Sequence, residues 1–205
     1  MNWLLIALPL LACTAACSSE PAEQVTAASE RTLHDIMTDG IDVRADEVWA
    51  IGNAAIDEQA NLDAAKMTDV DWDKLSASTT GLGQAALDLA NLDPIVVVKP
   101  GGKIVDEGVP GGDTAAEVQA NVDRNPQGFR DMANTLAGHM AELATAAQAH
   151  DAAKAGPLIN QLDAVCEACH LDYWYPSQKA LVEEFMDSGV VDPTTEDLPA
   201  ESPQT

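Results

Sequence analysis

Leu158, Leu162, Val165 and Cys169 lie at i, i+4, i+7 and i+11, one face of a helix, and that face runs into Cys166-Glu167-Ala168-Cys169-His170. An apolar stripe of this kind has to be covered by other apolar faces. The motif at its end constrains what the covered space must hold. C-x-x-C-H is the attachment signature of a c-type haem. Two thiols three positions apart share one side of a helix, so both can reach the vinyl groups of one porphyrin. The imidazole that follows, His170, then supplies an axial nitrogen to the iron. C-x-x-C also serves as a redox dithiol, as half of a zinc site or as a structural disulfide. A thioredoxin-like dithiol goes with a βαβ pattern, which is not visible here, and a zinc ribbon needs a second ligand pair.

The cysteine count bears on that choice. The chain has 4 cysteines, and Cys13 and Cys17 fall in or beside an N-terminal leader. Trp3 to Ala16 is apolar, uncharged, short for a membrane span and rich in small residues at its end, as in a signal peptide. Its n-region carries no Lys or Arg. Ala15-Ala16-Cys17-Ser18-Ser19 is similar to a bacterial lipobox, which makes Cys17 the expected lipidation site; Leu10-Leu11-Ala12-Cys13 is a second such stretch with a very short leader. An ordinary cleaved leader would remove both cysteines. On either reading no disulfide framework remains, and export suits covalent haem attachment, which in bacteria takes place outside the cytoplasm. The expected place is the periplasmic side of a bacterial membrane, lipid-anchored. Ser18 after the cysteine favours the outer membrane, and the alternative is a soluble periplasmic protein.

The expected organisation is a signal peptide over 1–16, a flexible tether over 17–28, a helical bundle over 29–188 with an inserted loop at 94–126, and an acidic, disordered tail over 189–205. Ser29-Glu30-Arg31-Thr32 can cap a helix carrying Leu33, Ile36, Met37 and Ile41 on one face. Gly40 and Asp42 suggest a break or kink, with Asp42 able to cap a continuation to about Gln59 that turns Val48, Trp49, Ala55 and Ile56 inward. A second helix starts at Thr68 to Asp71 and ends near Asn91. Its stripe is Trp72, Leu75, Thr79, Leu82, Ala86 and Leu89, and Gly81 and Gly83 either weaken it or admit a close neighbour. Pro94 to Pro126 breaks the pattern. Ile95-Val96-Val97-Val98 and Lys103-Ile104-Val105 flank a Pro-Gly-Gly turn and predict a small β-hairpin; Thr114 to Asn121 adds a helical turn. So long a connection is either a family-specific ornament or a functional lid. Gln127 to about His150 carries Phe129, Met132, Leu136, Met140, Leu143 and Ala147 on one face. The last long helix is expected to begin at Gly156-Pro157 and to stop at Pro176, with a short extra helix over Ser177 to Ser188.

Abundant helix formers and few aromatics, 2 Phe and 2 Tyr, agree with an all-α fold. The net charge of −24 argues against nucleic acid as a partner and leaves a basic docking surface on a partner protein, or solubility alone, as its meaning. No hydrolytic constellation is visible, so no enzyme is expected.

Four helical stretches with C-x-x-C-H near the end of the last resemble the class II c-type cytochromes, the cytochrome c′ group and its low-spin relatives. Cys166, Cys169, His170 and Tyr173 carry the likeness. It spans about Ser29 to Tyr175, and only the C-terminal motif is specific. The insert at 94–126 and Trp174-Tyr175-Pro176, in place of a basic residue after the tyrosine, depart from the pattern. The resemblance implies an antiparallel four-helix bundle holding one covalent haem c between helices, with thioethers from Cys166 and Cys169 and His170 as proximal iron ligand. It also implies that a Met or apolar residue early in the first helix faces the haem, where Met37 stands. Met37 is the candidate distal ligand; core filler is its alternative. His34 can ligate if the helix is rotated or sit at the rim, His139 can meet a propionate or lie in the core, and His150 suits a helix end. Met67, Met132 and Met140 pack, and Trp49, Trp72, Tyr173 and Trp174 line the haem pocket or the core. The implied function is one-electron transfer with a redox partner protein. A five-coordinate haem protein binding NO or CO is the alternative, and a haem-free lipoprotein interaction module the second. Homodimers through the first two helices occur among such relatives.

Overall fold

The computed structural model describes residues 31–105, 107–109 and 112–187. The leader with Cys17, the tether and the acidic tail lie outside them. The fold is all-α. Four long helical rods form the bundle, and the insert packs across one end.

The first rod starts at Thr32, whose hydroxyl accepts from the Asp35 amide at 3.2 Å while the Asp35 carboxylate accepts from the Thr32 amide at 2.9 Å. This reciprocal box satisfies two otherwise orphaned donors. Helix α1 (Leu33–Ile36) passes into a π turn (Met37–Asp42) and on into α2 (Val43–Ala54). The break expected at Gly40 and Asp42 is therefore a widened turn inside one continuous rod. Asp42 is itself helical and makes no side-chain capping bond. Gly40 serves contact here, since a Cβ on it would lie 3.1 Å from the Ala85 Cβ. The rod ends at Ala54, short of Gln59. Val48 and Ala55 are buried and Trp49 half-buried, but Ile56 is exposed, where it bridges to Leu62.

Helix α3 (Asp69–Ala90) starts at Thr68 with a second capping box to Asp71, and all six residues of its stripe are buried. Gly81 and Gly83 do admit close neighbours: the Arg44 side chain crosses the first, and a Cβ on the second would lie 3.2 Å from the Met140 Cβ. Helix α5 (Pro126–Gln148) buries Phe129, Leu136, Met140, Leu143 and Ala147 against α3 and α6. Helix α6 (Ala152–Tyr173) begins earlier than Gly156-Pro157, because Asp151 caps it by accepting from the Lys154 amide. Pro157 thus sits in the second turn, where its exposed ring costs one backbone bond. A short helix α7 (Lys179–Asp187) follows Pro176 and leaves Leu181 and Phe185 exposed.

The insert departs most from expectation. No strand occurs among the described residues, so the hairpin does not form. The Val96 and Val97 carbonyls instead accept from the amides of Leu33 and His34, at 2.8 and 3.0 Å. These are free donors at the first turn of α1, and they outcompete a hairpin partner. Gln119 clamps the same segment, donating to the Ile95 carbonyl at 3.0 Å and accepting from the Val97 amide at 2.9 Å. It belongs to a full helix α4 (Ala115–Arg124), longer than the expected turn, that starts with a Thr114–Glu117 capping box and fully buries Val118 and Val122.

Candidate functional site

The last turns of α6 face the first turns of the opening rod across a cavity of about 350 Å³. Met37, Cys166, Cys169 and His170 all line it, so the structure brings together the four residues singled out in the bundle. Its remaining wall is mostly apolar: Leu33 and Ile41 from the rod, Val118 and Val122 from α4, Phe129 and Leu136 from α5, with Trp49 and Trp174 at the sides. A second cavity of about 440 Å³ adjoins it and shares Met37, Asp42, His170 and Trp174. Trp72 is elsewhere, stacked on His150 with ring centroids 5.2 Å apart.

The contribution of α4 was the part sequence reasoning missed. The sequence predicts only a helical turn over Thr114 to Asn121; the Thr114–Glu117 capping box and Val118 and Val122 at i, i+4 were the signals for a full helix. The insert is tied to the motif helix by Asn121, which donates to the Tyr173 carbonyl at 3.0 Å and to Asp113 at 3.2 Å. Tyr173 returns the tie: its hydroxyl donates to the Asn125 carbonyl at 3.0 Å, and its ring meets Phe129 edge-on at 5.5 Å. The insert therefore closes the cavity and braces both helices that carry candidate ligands.

The local chemistry is that of a half-buried thiol pair beside a neutral imidazole. Both cysteines are free. Burial, reinforced by Asp163 and Asp42, pushes the Cys166 thiol up to about 11. Burial, with Cys166 and Asp172 beside it, pushes Cys169 up to about 12. Such thiols stay protonated at neutral pH, the opposite of a reactive redox dithiol. Burial pushes the His170 imidazole down, against the pull of Glu167, Asp42 and Asp163. A neutral imidazole is the form that ligates a metal. Asp42 stands exposed at the cavity mouth, and partial desolvation there raises its carboxyl while His170 and His34 act the other way.

The other histidines separate cleanly. His139 Nε2 meets the Leu158 carbonyl at 2.8 Å and does not line the cavity. His150 lies just past α5 in a left-handed conformation with φ 53. His34 lines the second cavity, and its Nε2 is buried with no hydrogen-bond partner among the described residues. An unsatisfied buried polar atom costs roughly 1–3 kcal/mol. Met67 and Met140 are core, while half-buried Met132 reaches the cavity wall.

Residues 104–174 match the family model described as Cytochrome C'. The matched stretch starts inside the insert and takes in α4, α5 and the motif through Trp174. No curated protein and no solved structure matches the chain. The all-α fold and the family match agree with each other. The match supports the chain's relationship to the class II c-type cytochromes.

Proposed function

We propose that the chain is an exported monohaem c-type cytochrome acting as a one-electron carrier, with thioethers at Cys166 and Cys169, His170 as proximal ligand and Met37 as distal ligand. The observation that carries this is that the four side chains, from the two ends of the bundle's sequence, line one cavity. The residues present fit a haem. Two protonated thiols lie on one helix face, a neutral imidazole follows them, and a thioether comes from the opposite rod. The two adjoining cavities share the Met37 and His170 border, so a flat ring has room to extend from the apolar cavity into the more polar one. The unpartnered His34 Nε2 lies on that second side, where a propionate would satisfy it.

When bound, a haem iron held by Met and His changes charge by one electron with little change of geometry. The chain's residues supply the rest. The π turn holds Met37 toward α6, the apolar wall excludes water, and burial keeps His170 neutral. The charge of −24 suits docking to a basic partner surface. Lipidation at Cys17 would tether the protein on the periplasmic side; no helix among the described residues is long and apolar enough to cross a membrane.

Expression with the haem-attachment machinery tests the proposal. The denatured chain should retain the mass and absorbance of one haem, and the folded protein should be low-spin. Met37→Ala should turn it high-spin. A denatured chain without haem would end the cytochrome reading. A wild-type ferrous form that is high-spin and binds CO rapidly would replace electron transfer by gas binding, for which the apolar wall is already in place.

A further inference from the structure

We propose that Tyr175 and Glu167 form a hydrogen-bonded arm that holds His170 in its Nδ1–H tautomer and strengthens Nε2 as a donor to the iron; the iron half of this rests on the haem reading above.

The arm is built by the way α6 ends. The amides of Trp174 and Tyr175 both donate to the His170 carbonyl, at 2.8 and 2.9 Å. The chain therefore folds back over the residue it has just left. Tyr175 leaves the helical conformation, with φ −143 and ψ 60, and Pro176 opens the next turn. Its ring comes to rest beside the imidazole, centroids 5.6 Å apart. Glu167 lies three residues before His170, on the same side of the helix. The Tyr175 hydroxyl donates to Glu167 Oε2 at 2.8 Å and also lies 3.3 Å from His170 Nδ1.

Counting protons decides the direction of the second contact. A tyrosine hydroxyl has one hydrogen, and a carboxylate can only accept. With that hydrogen on Glu167, the Tyr175 oxygen has lone pairs left for Nδ1, so the imidazole must donate. The proton is thereby assigned to Nδ1, and Nε2 keeps its lone pair. Hydrogen bonding of the far ring nitrogen fixes the orientation of a metal-bound histidine and raises its basicity. Here the bond is polarised by a carboxylate one link further away. A more electron-rich imidazole favours the ferric over the ferrous state, so the arm should lower the reduction potential.

Burial, followed by the Glu167 bond, pushes the Tyr175 phenol well above its usual range, so it stays a neutral hydroxyl. The arm is distinct from the motif's two thiols and from Met37. Glu167 occupies an x position of C-x-x-C-H and Tyr175 lies outside the motif, so both can be changed with the motif intact.

Two measurements test the arm with Tyr175→Phe, Glu167→Gln and the double variant. The first uses apoprotein above the titration of its imidazoles and reads the His170 tautomer from ¹⁵N shifts. The wild type should be Nδ1–H, and Tyr175→Phe should move toward the Nε2–H form that free imidazole prefers in water. A wild-type Nε2–H tautomer, or no change in the variant, overturns the tautomer half without reference to haem. The second is the reduction potential of the holoprotein. Tyr175→Phe should raise the ferrous-to-ferric ratio at a fixed potential about three- to tenfold; tenfold corresponds to about 59 mV for one electron. Glu167→Gln should shift it less, in the same direction. The double variant should match Tyr175→Phe alone, because Glu167 acts through the hydroxyl. Additive shifts, or an unmoved potential in a low-spin holoprotein with covalent haem, overturn the iron half. A wild-type chain that attaches no haem overturns that half together with the functional reading, while the tautomer result still stands or falls by itself.

Discussion

The same helices meet differently at the two ends of the bundle. At the end away from the motif, α2 and α6 touch through a glycine: a Cβ on Gly52 would lie 2.9 Å from an Ile159 methyl carbon. Gly156 accepts Leu62 in the same way, at 3.1 Å, and Trp72 stacks on His150 with planes 10° apart. The backbones themselves are in contact there, and the space beside them is a groove lined by Asn61, Leu62, Gly156 and Pro157, with no cysteine or histidine in its wall. At the other end the rod presents Met37 and Ile41, and α6 presents Cys166, Cys169 and His170, across about 350 Å³. The difference is one of side-chain size and support. Small residues let two backbones close, whereas long half-buried side chains hold them apart and need α4 to cover the gap. A cavity of this kind is specified as much by the glycines that shut the far end as by the residues that line the near one.

That contrast can be broken from either side, and the closed end should give the larger effect. Gly52→Val places a branched side chain where a methyl carbon of Ile159 already sits. Overpacking of this kind should cost about 2–3 kcal/mol, or roughly 5–10 °C in Tm for a chain of this size. The haem spectrum should be unchanged, because the strain is placed at the other end. A lost or altered spectrum with intact stability would mean that the ends are not independent. Asn121→Leu attacks the open end instead. It removes the donors that hold the Tyr173 carbonyl and Asp113, and leaves Arg124 without the Asn121 oxygen it bonds. About 1–2 kcal/mol should be lost, read from the denaturant midpoint at constant slope. Access of small ligands to the cavity should rise, which Gly52→Val should not reproduce.

The two ends also differ in how far the sequence disclosed them. The stripes of α3 and α5 were legible because each is long, periodic and uninterrupted: all six residues expected inside α3 are buried, and Met132 alone of the α5 set is only half so. Met37 was legible as a candidate for facing the motif only through a family likeness; its own spacing said core and nothing more. The π turn was hidden because Gly40 and Asp42 carry the same local signal as a helix break, and only Ala85 lying against Gly40 makes continuation the better solution. Four valine and isoleucine residues before a Pro-Gly-Gly turn spelled a hairpin. What they pair with instead are the free amides at the start of α1, over 60 positions earlier in the chain, and no local pattern encodes such a partner. Tyr175 was visible only as a departure from a family pattern. Its bond to Glu167 depends on how the chain turns back after Tyr173, which spacing does not show.

The smallest effect separates the two capping boxes, one at each end. Thr32 with Asp35 starts the rod beside the cavity, and Thr68 with Asp71 starts α3 at the closed end. Either Thr→Ala change should cost about 1 kcal/mol, since each hydroxyl satisfies one amide. Their acid responses carry the comparison further. The Thr32 amide and then its hydroxyl, with Lys99 assisting, hold the Asp35 carboxyl at about 2. The Thr68 hydroxyl and then its amide lower Asp71 in the same sense. A carboxyl held below its unfolded value stabilises the fold above that value, near 4, and the contribution disappears as pH falls toward the folded value. Stability should therefore decline between about pH 4 and pH 2, and Asp35→Asn should flatten part of that decline. Because Asp35 pairs directly with Lys99 at 3.2 Å, whereas Lys74 is only the weakest influence lowering Asp71, added salt should weaken the Asp35 contribution more. Thermal melts of the two Asp→Asn variants at low and high salt check this. An equal salt response would show that the pair with Lys99 adds nothing to the cap at the cavity end.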